Sequence, residues 1–94
     1  MAFLQGKRIL ITGVLSNRSI AYGIAKACRE QGAEIALTYV GERFKDRVTG
    51  FATELGTDIV LPLDVADDQQ IDDAIAALQE RWDGLDGLVH AIGF

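Results

Sequence analysis

The sequence predicts an α/β protein built on a doubly wound parallel sheet. Short apolar runs alternate with amphipathic segments along the whole chain, and the connections between them are only a few residues long. The runs are apolar at successive positions, which is typical of strands that are covered on both faces. Because each right-handed crossover carries a helix over the sheet, we predict the element order βαβαβαβ and the strand order 3-2-1-4.

Each predicted element has a recognisable beginning and end. The strands are runs rich in Ile, Leu and Val at residues 8–12, 35–39, 59–63 and 88–92. A first helix over 19–31 follows from the helical spacing of its apolar residues, and Gly32 comes directly after it. A second helix over 42–55 ends at Gly56 and carries one apolar face: Phe44, Val48, Phe51 and Leu55. The third is capped by Asp67 or Asp68 and buries Ile71, Ile75, Leu78 and Trp82.

Composition excludes several classes of partner and site. The 94 residues make at most one small domain, and their formal charge of -5 argues against a nucleic acid or an anionic membrane as the main partner. The single cysteine, Cys28, cannot form an internal disulfide, and its place on an apolar helix face predicts an inert thiol. No signal peptide, membrane-spanning run or metal-binding motif is recognised. These observations predict a cytoplasmic protein.

The first strand-to-helix connection predicts an anion site. Ligands of doubly wound sheets bind outside the carboxyl ends of the strands, where the winding reverses. Gly13 lacks the Cβ that would obstruct a ligand there, and the helix that begins near Ser19 offers unpaired N–H groups to a phosphate. Ser19 could instead be only a helix cap, and Ile20 could be a core residue. Gly23 is predicted to allow close packing of helix and strand. The loop departs from the G-x-G-x-x-G spacing, so by itself it is weak support.

The other strand ends predict the rest of a dinucleotide site. No carboxylate follows the second strand directly, which leaves the choice of cofactor open. Val40 and Gly41 are not basic, and Arg43 lies too deep in the next helix to meet a 2′-phosphate, which favours NADH over NADPH. Asp64 could accept a hydrogen bond from the adenine amino group, or it could cap a turn or helix. Gly93 would let the chain pass close to a ribose or the nicotinamide. The only histidine, His90, is interpreted as structural.

Four segments together closely resemble the amino-terminal part of the bacterial NADH-dependent enoyl-acyl-carrier-protein reductases, a divergent branch of the short-chain dehydrogenases/reductases. They are "GKRILITGVLSNRSIAYGIAKA", "GAEIALTY", "LPLDVAD" and "DGLVHAIGF". The resemblance implies a Rossmann fold and these NAD contacts: Gly13, Ser19, Ile20, Asp64, Val65, Ile92 and Gly93. Two positions depart from the family pattern. Val40 replaces a Gln found in some members, which leaves only apolar contact, and Ala91 replaces a common Ser.

The resemblance also implies a reaction. The family reduces the trans-2,3 double bond of an enoyl thioester on acyl carrier protein, with NADH as hydride donor and a tyrosine and a lysine that stabilise the enolate. Those two residues would follow Phe94, and neither Tyr22 nor Tyr39 matches the family's catalytic tyrosines, so no catalytic residue is assigned. Residues 1–94 are expected to be the amino-terminal part of one NAD-binding domain, inactive alone, of a homotetrameric enzyme.

Two other functions stay open at this point. A dehydrogenase acting on an alcohol or ketone would need a Y-x-x-x-K pair and the usual glycine spacing, and the loop after Gly13 lacks that spacing. A non-catalytic nucleotide-binding module would need a charged, capped carboxyl-terminal edge, whereas the sequence closes on the apolar "AIGF".

Overall fold

Four parallel strands form one sheet in the order β3-β2-β1-β4 in the computed structural model, which describes residues 3–14 and 19–90. The strands are β1 (Arg8–Thr12), β2 (Glu34–Tyr39), β3 (Val60–Pro62) and β4 (Gly87–His90). β1 pairs with β2 and with β4, and β2 pairs with β3, in each case in parallel. The predicted fold class and strand order are confirmed.

In the described part of the chain, three α-helices flank the sheet, and several of their ends are capped as predicted. They are α1 (Ile20–Glu30), α2 (Lys45–Leu55) and α3 (Asp68–Arg81). α2 ends at Gly56, whose φ of 81° lies in the left-handed region that favours glycine. Of the two candidate caps for α3, Asp67 is the one used, because its carboxylate accepts from the backbone N–H groups of Gln69 and Gln70.

Two predicted elements are shorter in the structure. The second helix does not begin at Glu42, because Glu42–Phe44 form a 3₁₀ turn and the α-helix starts at Lys45. Gly41 bends the chain there with a φ of 86°. The third strand covers only Val60–Pro62, although Ile59 and Leu63 still form backbone hydrogen bonds with β2. The predicted end of the fourth strand, including Ile92, lies outside the described residues.

The sheet separates two layers of apolar side chains. On one face, α1 and α2 cover alternate residues of the central strands, with the fully buried Ile11, Ile35, Leu37 and Val48 at the centre of this layer. On the other face, α3 covers a smaller cluster: Leu10, Ala36, Ile59, Leu63, Ala74, Leu78 and Trp82. The helices therefore lie on both faces, which leaves the carboxyl ends of the strands between the two layers.

Two packing predictions are wrong. Ile75 was expected on the buried face of α3 but is 50% exposed, and Ala74 is buried in its place. A small residue at this position lets the helix backbone lie close to the sheet. Gly23 was expected to allow close packing of α1, yet it is exposed, and a Cβ there would meet no atom within 4 Å among the described residues.

Within residues 3–14 and 19–90, no helix combines the length and the apolar character that crossing a membrane requires.

Candidate functional site

The carboxyl ends of the four strands meet at one edge of the molecule. Thr12 pairs with His90 at the ends of β1 and β4, and Tyr39 pairs with Pro62 at the ends of β2 and β3. The described residues among the predicted site residues, which follow β1, β2 and β3, therefore lie along the same edge. Parallel strands that share a direction place the loops that follow them at the same end of the sheet, which is why segments far apart in the sequence come together.

The two described ends of the connection from β1 to α1 are Gly13 and Ser19. Gly13 adopts a φ of 84°, a left-handed conformation that side chains with a Cβ rarely tolerate. Ser19 is extended, and its Oγ accepts a hydrogen bond of 3.1 Å from the backbone N–H of Tyr22. The predicted helix cap is thus confirmed. The preceding N–H groups of Ile20 and Ala21 have no acceptor within the helix, since the first turn has no residues before it. Residues 15–18 lie outside the described part of the chain.

Asp64 stands in a tight turn between β3 and α3. Its Oδ1 accepts from the backbone N–H of Ala66 at 3.0 Å, and its carbonyl oxygen accepts from the N–H of Asp67 at 2.9 Å. The turn-forming interpretation of this aspartate is therefore confirmed. Oδ2 has no hydrogen-bond partner among the described residues, so the carboxylate retains one acceptor atom for a ligand.

Gln70 is a residue that the sequence analysis missed. Its Oε1 accepts from the backbone N–H of Asp64 at 2.9 Å, and its Nε2 donates to Asp67 Oδ2 at 3.3 Å. The pattern D-x-x-Q, in which a helix cap is followed three residues later by glutamine, could have singled it out. This side chain links the site loop to the first turn of α3.

Three apolar side chains are exposed along the same edge. Ile20 is 80% exposed at the start of α1, so the interpretation of this residue as core is wrong. Val40 after β2 and Val65 after Asp64 are exposed as well. Exposed apolar side chains that accompany polar atoms at one edge are typical of a site for a partly apolar ligand.

The two residues directly after β2 carry no charge. Val40 and Gly41 are uncharged, and the guanidinium of Arg43 lies over the Phe44 ring, 4.7 Å from its centroid. A 2′-phosphate is usually bound by a basic side chain placed directly after this strand. The observed arrangement favours a ribose that has no such phosphate.

The histidine, the two tyrosines and the cysteine contact other residues of the protein or are buried in it. His90 lies in β4, where its Nδ1 is 3.5 Å from Thr12 Oγ1, and Tyr39 is buried in the core. The Tyr22 hydroxyl donates to Glu54 Oε2 at 3.3 Å, and burial followed by the negative charge of Glu54 raises the pKa of Tyr22. Burial likewise raises the pKa of the Cys28 thiol, which fits the predicted inert cysteine.

The predicted contacts after β4 and the question of a metal site remain to be considered. Ala91, Ile92 and Gly93 lie outside the described residues, so their predicted contacts stay predictions. Within the described ranges, no group of three or more His, Cys, Asp or Glu side chains is arranged to hold a metal ion.

Comparison with known proteins identifies the family. Residues 13–94 match the model of a family described as enoyl-(acyl carrier protein) reductase. The chain belongs to this family. Among curated members, it is 62% identical over 94 residues to the NADH enoyl-[acyl-carrier-protein] reductase FabI of Neisseria meningitidis and 56% identical to that of Escherichia coli K12. These matches cover all of the chain but 36% of each relative, so it spans about a third of their length.

Solved structures of the family share the fold described above. The enoyl-(acyl-carrier-protein) reductase of Anaplasma phagocytophilum in complex with NAD superposes with a TM-score of 0.92 and 46% identity, over 97% of this chain and 35% of that one. The reductase of Aquifex aeolicus gives a TM-score of 0.90 and 46% identity, over 93% and 34% of the two chains. The Rossmann-like architecture predicted from the alternating elements is thereby confirmed for this part of the fold.

Proposed function

We propose that this chain is the cofactor-binding part of an NADH-dependent enoyl-acyl-carrier-protein reductase of fatty acid biosynthesis. The observation that carries the proposal is the edge itself: along it lie the left-handed Gly13, the capped start of α1 and Asp64, whose Oδ2 has no hydrogen-bond partner in the described part of the chain. A helix N-terminus suits a pyrophosphate, and a carboxylate oxygen suits an exocyclic amino group. Membership of the enoyl reductase family supports the choice of reaction.

The residues of this edge fit NAD. Gly13, Ser19 and Ile20 would hold the pyrophosphate side, while Val40, Asp64 and Val65 would hold the adenosine. Ile92 and Gly93, predicted from the family resemblance, would lie against the nicotinamide half. The uncharged segment at Val40 favours NADH over NADPH. Each assignment names a residue of this chain and can be tested by substituting that residue and measuring NADH binding.

When bound, NADH supplies the hydride that reduces the trans-2,3 double bond of the enoyl thioester. The part of the chain described here binds and orients the cofactor. The tyrosine and lysine that would stabilise the enolate are expected after Phe94, as the resemblance implies. We further propose that the complete enzyme is a cytoplasmic homotetramer, that its substrate is carried on acyl carrier protein, and that neither nucleic acid nor membrane is a partner.

A test of the reaction compares two substrates with the full-length protein. We expect NADH absorbance to fall with crotonyl thioester and to stay constant with acetoacetyl thioester, because the latter offers a ketone in place of the double bond. NADPH at the same concentration should support a slower reaction. Consumption of NADH with the ketone alone would assign the protein to the alcohol and ketone dehydrogenases instead.

A further inference from the structure

The turn at Asp64 leaves one carboxylate atom with a defined direction. The backbone N–H donates to Gln70 Oε1 at 2.9 Å, the carbonyl oxygen accepts from Asp67 N–H at 2.9 Å, and Oδ1 accepts from Ala66 N–H at 3.0 Å. With these three groups held, the direction of Oδ2 follows from the backbone of the turn. Any interaction that holds the backbone therefore also orients Oδ2.

Gln70 ties this turn to the helix that follows. Its Oε1 holds the N–H of Asp64, and its Nε2 donates to Asp67 Oδ2 at 3.3 Å. Asp67 Oδ1 in turn accepts from the backbone N–H groups of Gln69 and Gln70, at 3.0 and 3.4 Å. The end of β3 and the first turn of α3 are thus joined through one half-buried side chain.

The role of Gln70 differs from that of an ordinary capping glutamine. At the third helical position, such a side chain usually bonds the N–H of the capping residue itself. Here the N–H of Asp67 is already donated to the carbonyl oxygen of Asp64. The Gln70 amide therefore reaches three residues further back along the chain, to Asp64, and holds the loop rather than the cap.

We propose that Gln70 is a positioning residue for the adenine half of the cofactor site, where it directs Asp64 Oδ2 towards the adenine amino group. The inference rests on the proposed function and names a residue that does not itself touch the cofactor. Without the amide, the partly buried N–H of Asp64 loses its acceptor and the turn relaxes. The hydrogen bond between Asp64 Oδ2 and the adenine amino group is then weakened.

The experiment uses the full-length protein and two reduced cofactors. One is NADH, and the other is its hypoxanthine analogue, in which a carbonyl oxygen replaces the adenine amino group. For Gln70→Leu we expect the dissociation constant of NADH to rise about fivefold to tenfold, the loss expected for one hydrogen bond. The dissociation constant of the analogue should rise less than about twofold, and kcat at saturating NADH should be unchanged within the same margin.

The chain offers a matched control and a rescue. Gln69 is the neighbouring glutamine, and its Nε2 donates to Asp73 Oδ1 at 2.9 Å without contacting the loop. Gln69→Leu should therefore bind both cofactors as the wild type does. Gln70→Glu keeps an oxygen that can accept from Asp64 N–H, but its negative charge is repelled by the Asp67 carboxylate. Adding Asp67→Asn removes this repulsion, because the asparagine amide can donate a hydrogen bond to the new glutamate. The double variant should recover most of the NADH affinity.

The outcomes separate this inference from the proposed function. If the wild type binds NADH but Gln70→Leu binds it equally well, or if both cofactors weaken to the same extent, Gln70 does not position Asp64. An equal loss in Gln69→Leu would also overturn the inference, since the effect would then come from the helix. If the wild type itself fails to bind NADH, the proposed function falls as well.

Discussion

Ser19 has two roles in the proposed site, and they can be separated by substitution. Its Oγ caps α1 by accepting from Tyr22 N–H, and we propose that the same side chain contacts the pyrophosphate of the cofactor. The cap is a matter of protein stability, whereas the pyrophosphate contact is a matter of cofactor affinity. An aspartate at this position caps a helix about as well as serine but adds a negative charge.

We predict opposite patterns for Ser19→Asp and Ser19→Ala in the full-length protein. Ser19→Ala should lower the free energy of unfolding by about 1 kcal/mol, because the cap is lost. Ser19→Asp should leave stability nearly unchanged and raise the KM for NADH at least about tenfold, because its charge repels the pyrophosphate. Urea unfolding and initial rates measure the two effects. Unchanged NADH affinity in Ser19→Asp would remove this residue from the site.

At the scale of elements, α2 contains one glycine, Gly50, and is followed by another, Gly56, in a different environment. Gly50 lies within the helix, and a Cβ there would meet no described atom within 4 Å. Gly56 ends the helix with a φ of 81°, and a Cβ there would lie 3.1 Å from Arg29 Nη2. That guanidinium joins two elements, since it donates to the carbonyl oxygens of Leu55 and Ala33 at 2.9 and 2.8 Å.

Alanine at these two positions should shift stability in opposite directions. Gly50→Ala should raise the free energy of unfolding by about 0.5–1 kcal/mol, because alanine costs less backbone entropy in a helix. Gly56→Ala should lower it by about 1–2 kcal/mol, since its backbone is left-handed and the Arg29 side chain must move. Urea unfolding measures the stability of both variants, and each serves as the control for the other because both make the same change of glycine to alanine. A stabilising Gly56→Ala would show that the cap conformation is not required.

At the scale of the molecule, the two faces of the sheet are covered unequally. Leu88 on β4 pairs with Leu10 on β1, so both lie on the face that α3 covers. Leu10 is buried there, but Leu88 is 58% exposed. The matched chain is only about a third of the length of its curated relatives. We infer that further chain of the complete protein covers β4.

Substitution of Leu88 should therefore have different effects in the isolated 94-residue chain and in the full-length protein. Leu88→Ser should reduce the light scattering of the isolated 94-residue chain, because an exposed apolar edge favours aggregation. In the full-length protein it should lower the free energy of unfolding by about 2–4 kcal/mol, as for a truncated buried leucine. The isolated chain should also fail to consume NADH with crotonyl thioester. Unchanged stability of the full-length variant would mean that β4 stays exposed.

The sequence by itself determined the fold class, the strand order and the approximate position of each element. Alternating buried runs and amphipathic segments allow few topologies once crossovers are right-handed, and that constraint is local in origin. The cap at Ser19 and the glycine after α2 were also readable, because capping depends on residues within one turn. The edge where the candidate site lies could also be predicted, because the loops that follow parallel strands lie at the same end of the sheet.

Only the tertiary structure decided which side chains the fold exposes and which distant groups meet. The helical period places Ile75 and Ala74 almost equally well against the sheet, and the choice depends on how closely α3 can lie on β2 and β3. The link from Gln70 to Asp64 required the Asp67 N–H to be taken by another acceptor. Such competition for hydrogen-bond partners is settled by three-dimensional geometry, which the order of residues does not display.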